Sequence, residues 1–153
     1  MKKYFEIIHI TRSNFTNLVN GLSIDQLNKI PEGFNNNIAW NFGHIVVTTQ
    51  GLCYRLSGLP LNIDAAIIDR YKKGTKPEQF ITQAEIDFLK AIIHSNIDQL
   101  EVDYNNGIFT SFSAYTTSFN TTLNTIEDAI AMIQSHDALH YGYALAQRKL
   151  VLS

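Results

Sequence analysis

The sequence predicts an all-α fold, a four-helix bundle with one long crossover connection. Apolar residues recur at helical spacing over most of the chain, and turn or cap signals divide it into four long segments. One connection, residues 59–81, is much longer than the others, as in bundles with a crossover. The length of 153 residues suits one domain, which we expect to span residues 1–153.

The first predicted helix runs from about Lys3 to Asn20. Its apolar residues repeat every three or four positions, and Gly21 suits its C-terminal end. In the turn that follows, Ser23 and Gln26 have the spacing of a capping box. Pro31 then ends any helix that begins there.

The second predicted helix runs from Ile38 to about Ser57. Three asparagines at 35–37 are typical of a helix start, because an Asn side chain accepts a hydrogen bond from a free backbone N–H group. Gly58 and Pro60 follow in the order expected at a helix end. Apolar residues on most sides of this helix indicate burial among other elements.

The third and fourth helices are predicted in the second half of the chain. Thr82 has capping-box spacing with Glu85, and the helix it opens runs from Gln83 to about Tyr104. Thr125 opens the fourth helix, which reaches about Leu150.

Two connections carry weaker signals. Residues 59–81 are predicted to be irregular, with a turn of helix around 65–68. Residues 108–124 are rich in Ser, Thr and aromatic residues, and both a short strand pair and an extended loop fit them.

Composition excludes several functional classes. There are 12 basic and 14 acidic residues, and no basic stripe of the kind that nucleic-acid binding requires. No basic cluster suits a membrane surface, and no apolar run approaches the roughly 20 residues that span a bilayer. Cys53 is the single cysteine, so the chain forms no internal disulfide, and we expect a cytoplasmic location.

The histidines are the strongest functional signal. His136 and His140 lie four residues apart, so on a helix both side chains lie on one face and can bind one metal ion. They continue an apolar stripe, and His44, in the most apolar helix, is a candidate third ligand. The alternatives are a pair of surface histidines and a hydrogen-bonded core histidine. His9 and His94 lie off the apolar stripes and are predicted to be surface residues.

Four side chains near these histidines are candidates for substrate binding. Asn41 and Thr48 lie within about one turn of His44, where they could bond a substrate or the second nitrogen of a ligating imidazole. Trp40 lies about one turn from His44, and Tyr143 lies about one turn from His140, with core packing as the competing interpretation for both.

Two segments resemble the signature segments of DinB-like proteins, the DinB/YfiT superfamily. They are residues 37–45, NIAWNFGHI, and residues 136–142, HDALHYG, and the resemblance covers essentially the whole chain. It implies a four-helix bundle with a long crossover and a divalent metal ion, usually zinc or nickel. The ligands implied are His44, His136 and His140, and, since dimers are common in the family, the resemblance also implies a homodimer.

The resemblance also implies a small-molecule substrate. Characterised relatives include transferases that join a low-molecular-weight thiol to an electrophile, and a thiol-using maleylpyruvate isomerase. Where the family often has His-x-Gly-Gln, this chain has Tyr141-Gly142-Tyr143, a difference that bears on the substrate more than on the metal.

Three hypotheses follow. The first is a metal-dependent thiol transferase. The second is a metal-dependent hydrolase, which needs a general base, with Asp137 and Glu127 as the available carboxylates. The third is a non-catalytic small-molecule-binding or stress-response module, whose structural metal would be closed by a fourth ligand such as His9 or Asp137.

Overall fold

Helices dominate the computed structural model, which describes residues 1–152. The predicted domain's last residue, Ser153, lies outside this range. The elements are α1 (Lys2–Asn20), α2 (Ile24–Asn28), α3 (Ile38–Thr49), a π-helical segment (Gln50–Arg55), α4 (Ala65–Tyr71), α5 (Gln83–Ile92), α6 (Ser95–Asn105), β1 (Tyr115–Thr116), β2 (Thr122–Leu123) and α7 (Ile126–Val151).

The predicted all-α bundle is confirmed. The four long helical segments of the bundle are α1, α3 with the π-helical segment, α5 with α6, and α7. The long helix α7 packs most extensively against α1 and α3, while α5 packs on α3 and α6 on α1. Among the helices of residues 1–152, none combines the length and the apolar composition of a bilayer-spanning segment.

The core consists of two apolar clusters, one toward each end of the bundle. The first contains Phe15, Phe42 and Ala144, and the second contains Phe5 and Ile133, among other residues. Helices α1 and α7 contribute to both clusters, so their middle turns lie between them. The histidines of α7 fall in this intermediate layer.

Side-chain caps begin the helices where the sequence predicts them. The Asn37 side chain accepts a hydrogen bond from the backbone N–H of Trp40 at 2.8 Å, which fixes the start of α3. The capping box of Ser23 and Gln26 is present at α2, and Thr125 forms another at α7.

Two predicted helices are not continuous α-helices. The second was predicted from Ile38 to about Ser57, but its α-helical part ends at Thr49 and a π-helical segment follows. The third was predicted from Gln83 to about Tyr104, but it is divided into α5 and α6.

The division between α5 and α6 has a local cause. The carbonyl of Ile93 accepts a hydrogen bond from Nη1 of Arg12 at 2.8 Å, while the N–H of Ile97 bonds to the carbonyl of His94. Arg12 of α1 therefore occupies the carbonyl of Ile93, to which the N–H of Ile97 would bond in an unbroken helix.

The two weakly predicted connections contain regular structure. The crossover 59–81 includes α4, which is longer than the single turn predicted at 65–68. Within residues 108–124, β1 and β2 form an antiparallel pair in which Tyr115 lies opposite Leu123. The strand pair, one of the two alternatives, is thus the observed one.

Candidate metal centre

Three imidazoles meet between α3 and α7. The ring centroids of His136 and His140 are 4.4 Å apart, and His44 lies 5.0 and 4.6 Å from them. One ring nitrogen from each residue lies within 4.8 Å of the other two. Among the residues that the structure describes, this is the one group of His, Cys, Asp and Glu side chains close enough to hold a metal ion.

Backbone and amide oxygens orient two of the rings. Nδ1 of His44 lies 2.6 Å from the carbonyl oxygen of Tyr71, and Nδ1 of His140 lies 2.7 Å from Oδ1 of Asn41. Because these oxygens only accept, each Nδ1 carries the proton and each Nε2 keeps a lone pair. The Asn41 amide nitrogen donates to the carbonyl of Asn37, which fixes its orientation. Both rings thus have the tautomer that a metal ion on Nε2 requires.

The third ring has an unsatisfied nitrogen. Nδ1 of His136 is buried and has no hydrogen-bond partner, and the same holds for Oδ1 of Asp137, 3.7 Å away. An unpaired buried polar atom costs roughly 1–3 kcal/mol, and a ligand on this nitrogen would remove that cost. The donor set of three imidazoles therefore fits a divalent ion with one coordination position left open.

Burial keeps two of these imidazoles neutral. Burial, with the nearby His136 adding to the effect, lowers the pKa of His44 to about 4. Burial, with His136 and His44 adding to the effect, lowers the pKa of His140 to about 2. Neutral imidazole is the form that binds a metal, so at neutral pH no proton has to leave these two rings first.

Three of the candidate substrate-binding residues support the imidazoles. Trp40 stacks on the ring of His44 with centroids 4.6 Å apart, and its indole N–H donates to Thr75. Asn41 holds His140 as described. Thr48 Oγ1 donates to the backbone carbonyl of His44 at 2.8 Å, and Thr48 also lines the adjoining cavity. Trp40 and Asn41 contact the rings but are not among the residues that line the cavity.

The fourth candidate, Tyr143, lies elsewhere. Its side chain is 48% exposed, and its ring contacts that of Phe34 at 5.7 Å in a shallow groove on the outer side of α7. It is one turn beyond His140, where the loop around Gly33 flanks the helix. The structure therefore does not bring Tyr143 to the histidines, contrary to the expectation from its spacing.

A cavity of about 360 Å³ adjoins the three histidines. The crossover and the β1–β2 hairpin cover it on one side, and α3, the π-helical segment and α7 form the other walls. Its lining is mainly apolar, with hydroxyl groups and three cations at exposed positions. Those cations are Arg55, Lys72 and Lys73.

A buried ion pair beside the site was not predicted. Arg12 is fully buried, and its Nε donates to Oδ2 of Asp137 at 2.7 Å. Its Nη2 donates to the carbonyl of Ile45 and to Oγ1 of Thr49. One signal could have revealed it, because Arg12 falls on the apolar stripe of α1 between Ile8 and Phe15, at a position that faces the core.

Two histidines predicted to be surface residues are only partly exposed and contact each other. The rings of His9 and His94 stack with centroids 5.5 Å apart, and their Nδ1 atoms are 3.2 Å apart. The break between α5 and α6 turns His94 toward α1, which the helical spacing did not indicate. Cys53 is buried, as predicted.

Comparison with known proteins supports the fold and family. The DinB superfamily matches residues 7–144. A crystal structure of a conserved protein from Enterococcus faecalis has the same fold, with a TM-score of 0.69, 10% identity and coverage of 99% of this chain and 96% of that chain. No curated protein matches the sequence. Since the family match extends over most of the chain, this protein belongs to the DinB superfamily.

Proposed function

We propose that this protein is a metal-dependent transferase that joins a low-molecular-weight thiol to an electrophile. The observation that carries the proposal is the meeting of three imidazoles, two of them neutral and oriented, beside a cavity large enough for a small ligand. A divalent ion held by neutral nitrogen ligands keeps its full charge, and that charge would lower the pKa of a thiol in the cavity toward neutrality.

Zinc and nickel are the ions we propose. Imidazole nitrogens bind both, and availability in the cell decides between such ions more than the ligand set does. His44, His136 and His140 would hold the ion, and the oxygens of Tyr71 and Asn41 would keep the rings of His44 and His140 aligned.

The protein's own role in the reaction is to position the two substrates and to exclude water from the cavity. The apolar lining, including Val47 and Leu52, favours the body of a small molecule over water. In a substitution, the sulfur forms a bond to carbon, the leaving group departs with the electron pair of its former bond, and the thiol proton passes to solvent. No carboxylate lines the cavity in the described part of the chain, so solvent is the available proton acceptor.

A transfer assay tests the proposal. Zinc- or nickel-loaded protein is mixed with mercaptoethanol or cysteine and with chlorodinitrobenzene, and the thioether is followed by its absorbance. We expect a rate above the uncatalysed reaction that depends on the ion. In His140→Ala the rate should fall by about 100-fold or more, because loss of a ligand should cost at least as much as the roughly 10–100-fold of losing an outer-shell partner. His9→Ala removes an imidazole outside the site and serves as the matched control. A rate equal in His140→Ala and the parent protein would falsify the proposal.

The hydrolase hypothesis has less support. Of the two carboxylates it required, Asp137 is fully buried and bonded to Arg12, and Glu127 accepts a hydrogen bond from Tyr104. Neither lines the cavity, so neither is placed to activate a water molecule there.

The hypothesis of a closed structural metal also has less support. Neither His9 nor Asp137 joins the group of ligating atoms within 4.8 Å of one another. His9 contacts His94 instead, and Asp137 bonds to Arg12. An ion on three imidazoles would keep an open position toward the cavity, which favours exchange with a substrate.

A further inference from the structure

The charges around the cavity are unbalanced. Lys72 pairs with Asp69 at 2.7 Å, and that pair is largely neutral. Arg55 and Lys73 also line the cavity, and in the described residues neither lies within 4.0 Å of a carboxylate oxygen. Arg55 acts on Asp69 at longer range, so the three cations and this one carboxylate leave an excess of two positive charges. Two cations thus remain available to a ligand.

The ammonium group of Lys73 is held at the cavity wall. Its Nζ donates to the hydroxyl of Tyr115 at 3.3 Å and lies 5.9 Å from the centroid of that ring. At these two distances the ammonium lies beyond the hydroxyl rather than above the face of the ring, so the contact is a hydrogen bond. It favours positions of Lys73 that face the cavity over fully solvated ones.

The rest of the lining is suited to an apolar body. Several walls carry aliphatic or thioether side chains, and the polar groups apart from the histidines and the cations are hydroxyls. The volume of about 360 Å³ lies at the small end of the range of roughly 300–1,000 Å³ for ligand pockets. The apolar residues are Val47, Leu52, Leu56, Ile68, Met132, Leu139 and Phe119.

We propose that this cavity takes a small organic acid, with its apolar body against these walls and its carboxylate between Arg55 and Lys73. The inference rests on the proposed function in one respect, namely that the acid is one of the two substrates joined there. A guanidinium binds a carboxylate with two parallel hydrogen bonds, whereas an ammonium acts as a point charge. With both cations exposed, each contact is weak alone, and the preference comes from the two together with the apolar walls.

Matched probes measure the charge preference without the metal. Phenylbutyrate, phenylbutanol and phenylbutylamine share one apolar body and differ in charge, and their affinities for chelated protein are measured by calorimetry or by NMR titration. We expect the acid to bind about fivefold or more tightly than the alcohol, and the amine most weakly. The preference should shrink as salt is raised, because exposed charges are screened. Equal affinity for the acid and the alcohol would overturn the inference.

Neutral variants locate the preference. Arg55→Gln and Lys73→Gln should each reduce the ratio of acid to alcohol affinity by about twofold or more, and together they should abolish it. Lys29→Gln removes an exposed cation that does not line the cavity and should leave the ratio unchanged. If the double variant keeps the parent's ratio of acid to alcohol affinity, the acid binds at another surface and the proposed site is wrong.

The transfer assay separates this inference from the proposed function. Mercaptopropionate, mercaptoethanol and cysteamine are compared as thiols, and we expect the acid to have the lowest KM in the parent protein and to lose that advantage in the double variant. If no thiol reacts, the proposed function fails, while the probe affinities still decide the charge preference. If the thiols react and the probes show no preference, the inference alone fails.

Discussion

The neutral form of His44 affects the free energy of unfolding as well as metal binding. In the unfolded chain its pKa is near 6.5, and burial lowers it to about 4 in the folded protein. Between these values the unfolded state binds more protons than the folded state, so the free energy of unfolding rises with pH in this window. The shift of His140 has the same direction.

Chelated protein should therefore lose stability as the pH falls from about 6.5 toward 4. Urea unfolding at a series of pH values measures the effect. In His44→Gln the slope over this window should decrease, because glutamine does not titrate. A parent protein whose unfolding free energy is flat or rises on acidification would contradict the assignment.

The buried pair of Arg12 and Asp137 should be sensitive to loss of one partner. Asp137→Asn or Arg12→Met leaves a charge that is buried without its counter-charge, and we expect a loss of about 3–5 kcal/mol in the free energy of unfolding. The double change Arg12→Met with Asp137→Leu should cost less than the sum of the two single changes, because it leaves no charge behind.

An exposed ion pair on the same helix is the control. Lys3 bonds to Glu6 at 2.7 Å with both side chains more than half exposed, so solvent screens the pair and Lys3→Ala should cost far less than Arg12→Met. Denaturant unfolding of all variants gives the comparison. Equal losses in Lys3→Ala and Arg12→Met would mean that the buried pair has no special role.

Among individual residues, the ligand side chains of the site were easier to predict from the sequence than the backbone groups that contact them. His136 and His140 were found from their spacing and His44 from its apolar surroundings. The carbonyl of Tyr71 carries no signal in the sequence, because every residue has one. Asp137 was considered only as a base or a ligand, since its partner lies 125 residues earlier and pairing at that distance has no periodic signature.

At the scale of elements, α3 and α4 approach each other closely at Gly43. A Cβ atom at this position would lie 2.5 Å from ring atoms of Tyr71, which is closer than real contacts allow. The carbonyl of Tyr71 in turn holds the ring of His44. The glycine therefore permits the contact between elements that orients one ligand of the site.

Gly43→Ala should accordingly weaken both packing and metal binding. Overfilling a packed contact costs typically 1–3 kcal/mol, and displacement of Tyr71 should reduce metal affinity by about tenfold or more. Gly142→Ala is the matched control, because a Cβ there meets nothing within 4 Å and helix propensity favours alanine. Unchanged metal affinity in Gly43→Ala would show that the Tyr71 contact is not needed.

Helix starts were predicted well, and helix interruptions were not. Asn37 and Thr125 begin helices because their side chains bond to nearby N–H groups, which is a local signal. The break between α5 and α6 has no Gly or Pro to mark it and occurs where Arg12, from another helix, bonds to Ile93. Tertiary contacts of this kind override local propensity and cannot be found from a single segment.

For the whole molecule, metal binding should appear as added stability. A ligand that binds only the folded state stabilises it by about 2.7 kcal/mol when its free concentration is 100 times Kd. Zinc or nickel should therefore raise the Tm of the parent protein, and His44→Ala should abolish the shift. Magnesium, which prefers oxygen ligands, should have no effect. A shift of equal size with magnesium would point to nonspecific binding.

The bond between Arg12 and Asp137 links the first and last helices of the bundle, 125 residues apart. During synthesis from the N-terminus, α1 is complete before α7 exists, so the part of its apolar face that packs on α7 stays uncovered until α7 has been made. Exposed apolar surface of this kind favours aggregation, so we expect the chain to be most prone to aggregate before α7 joins α1.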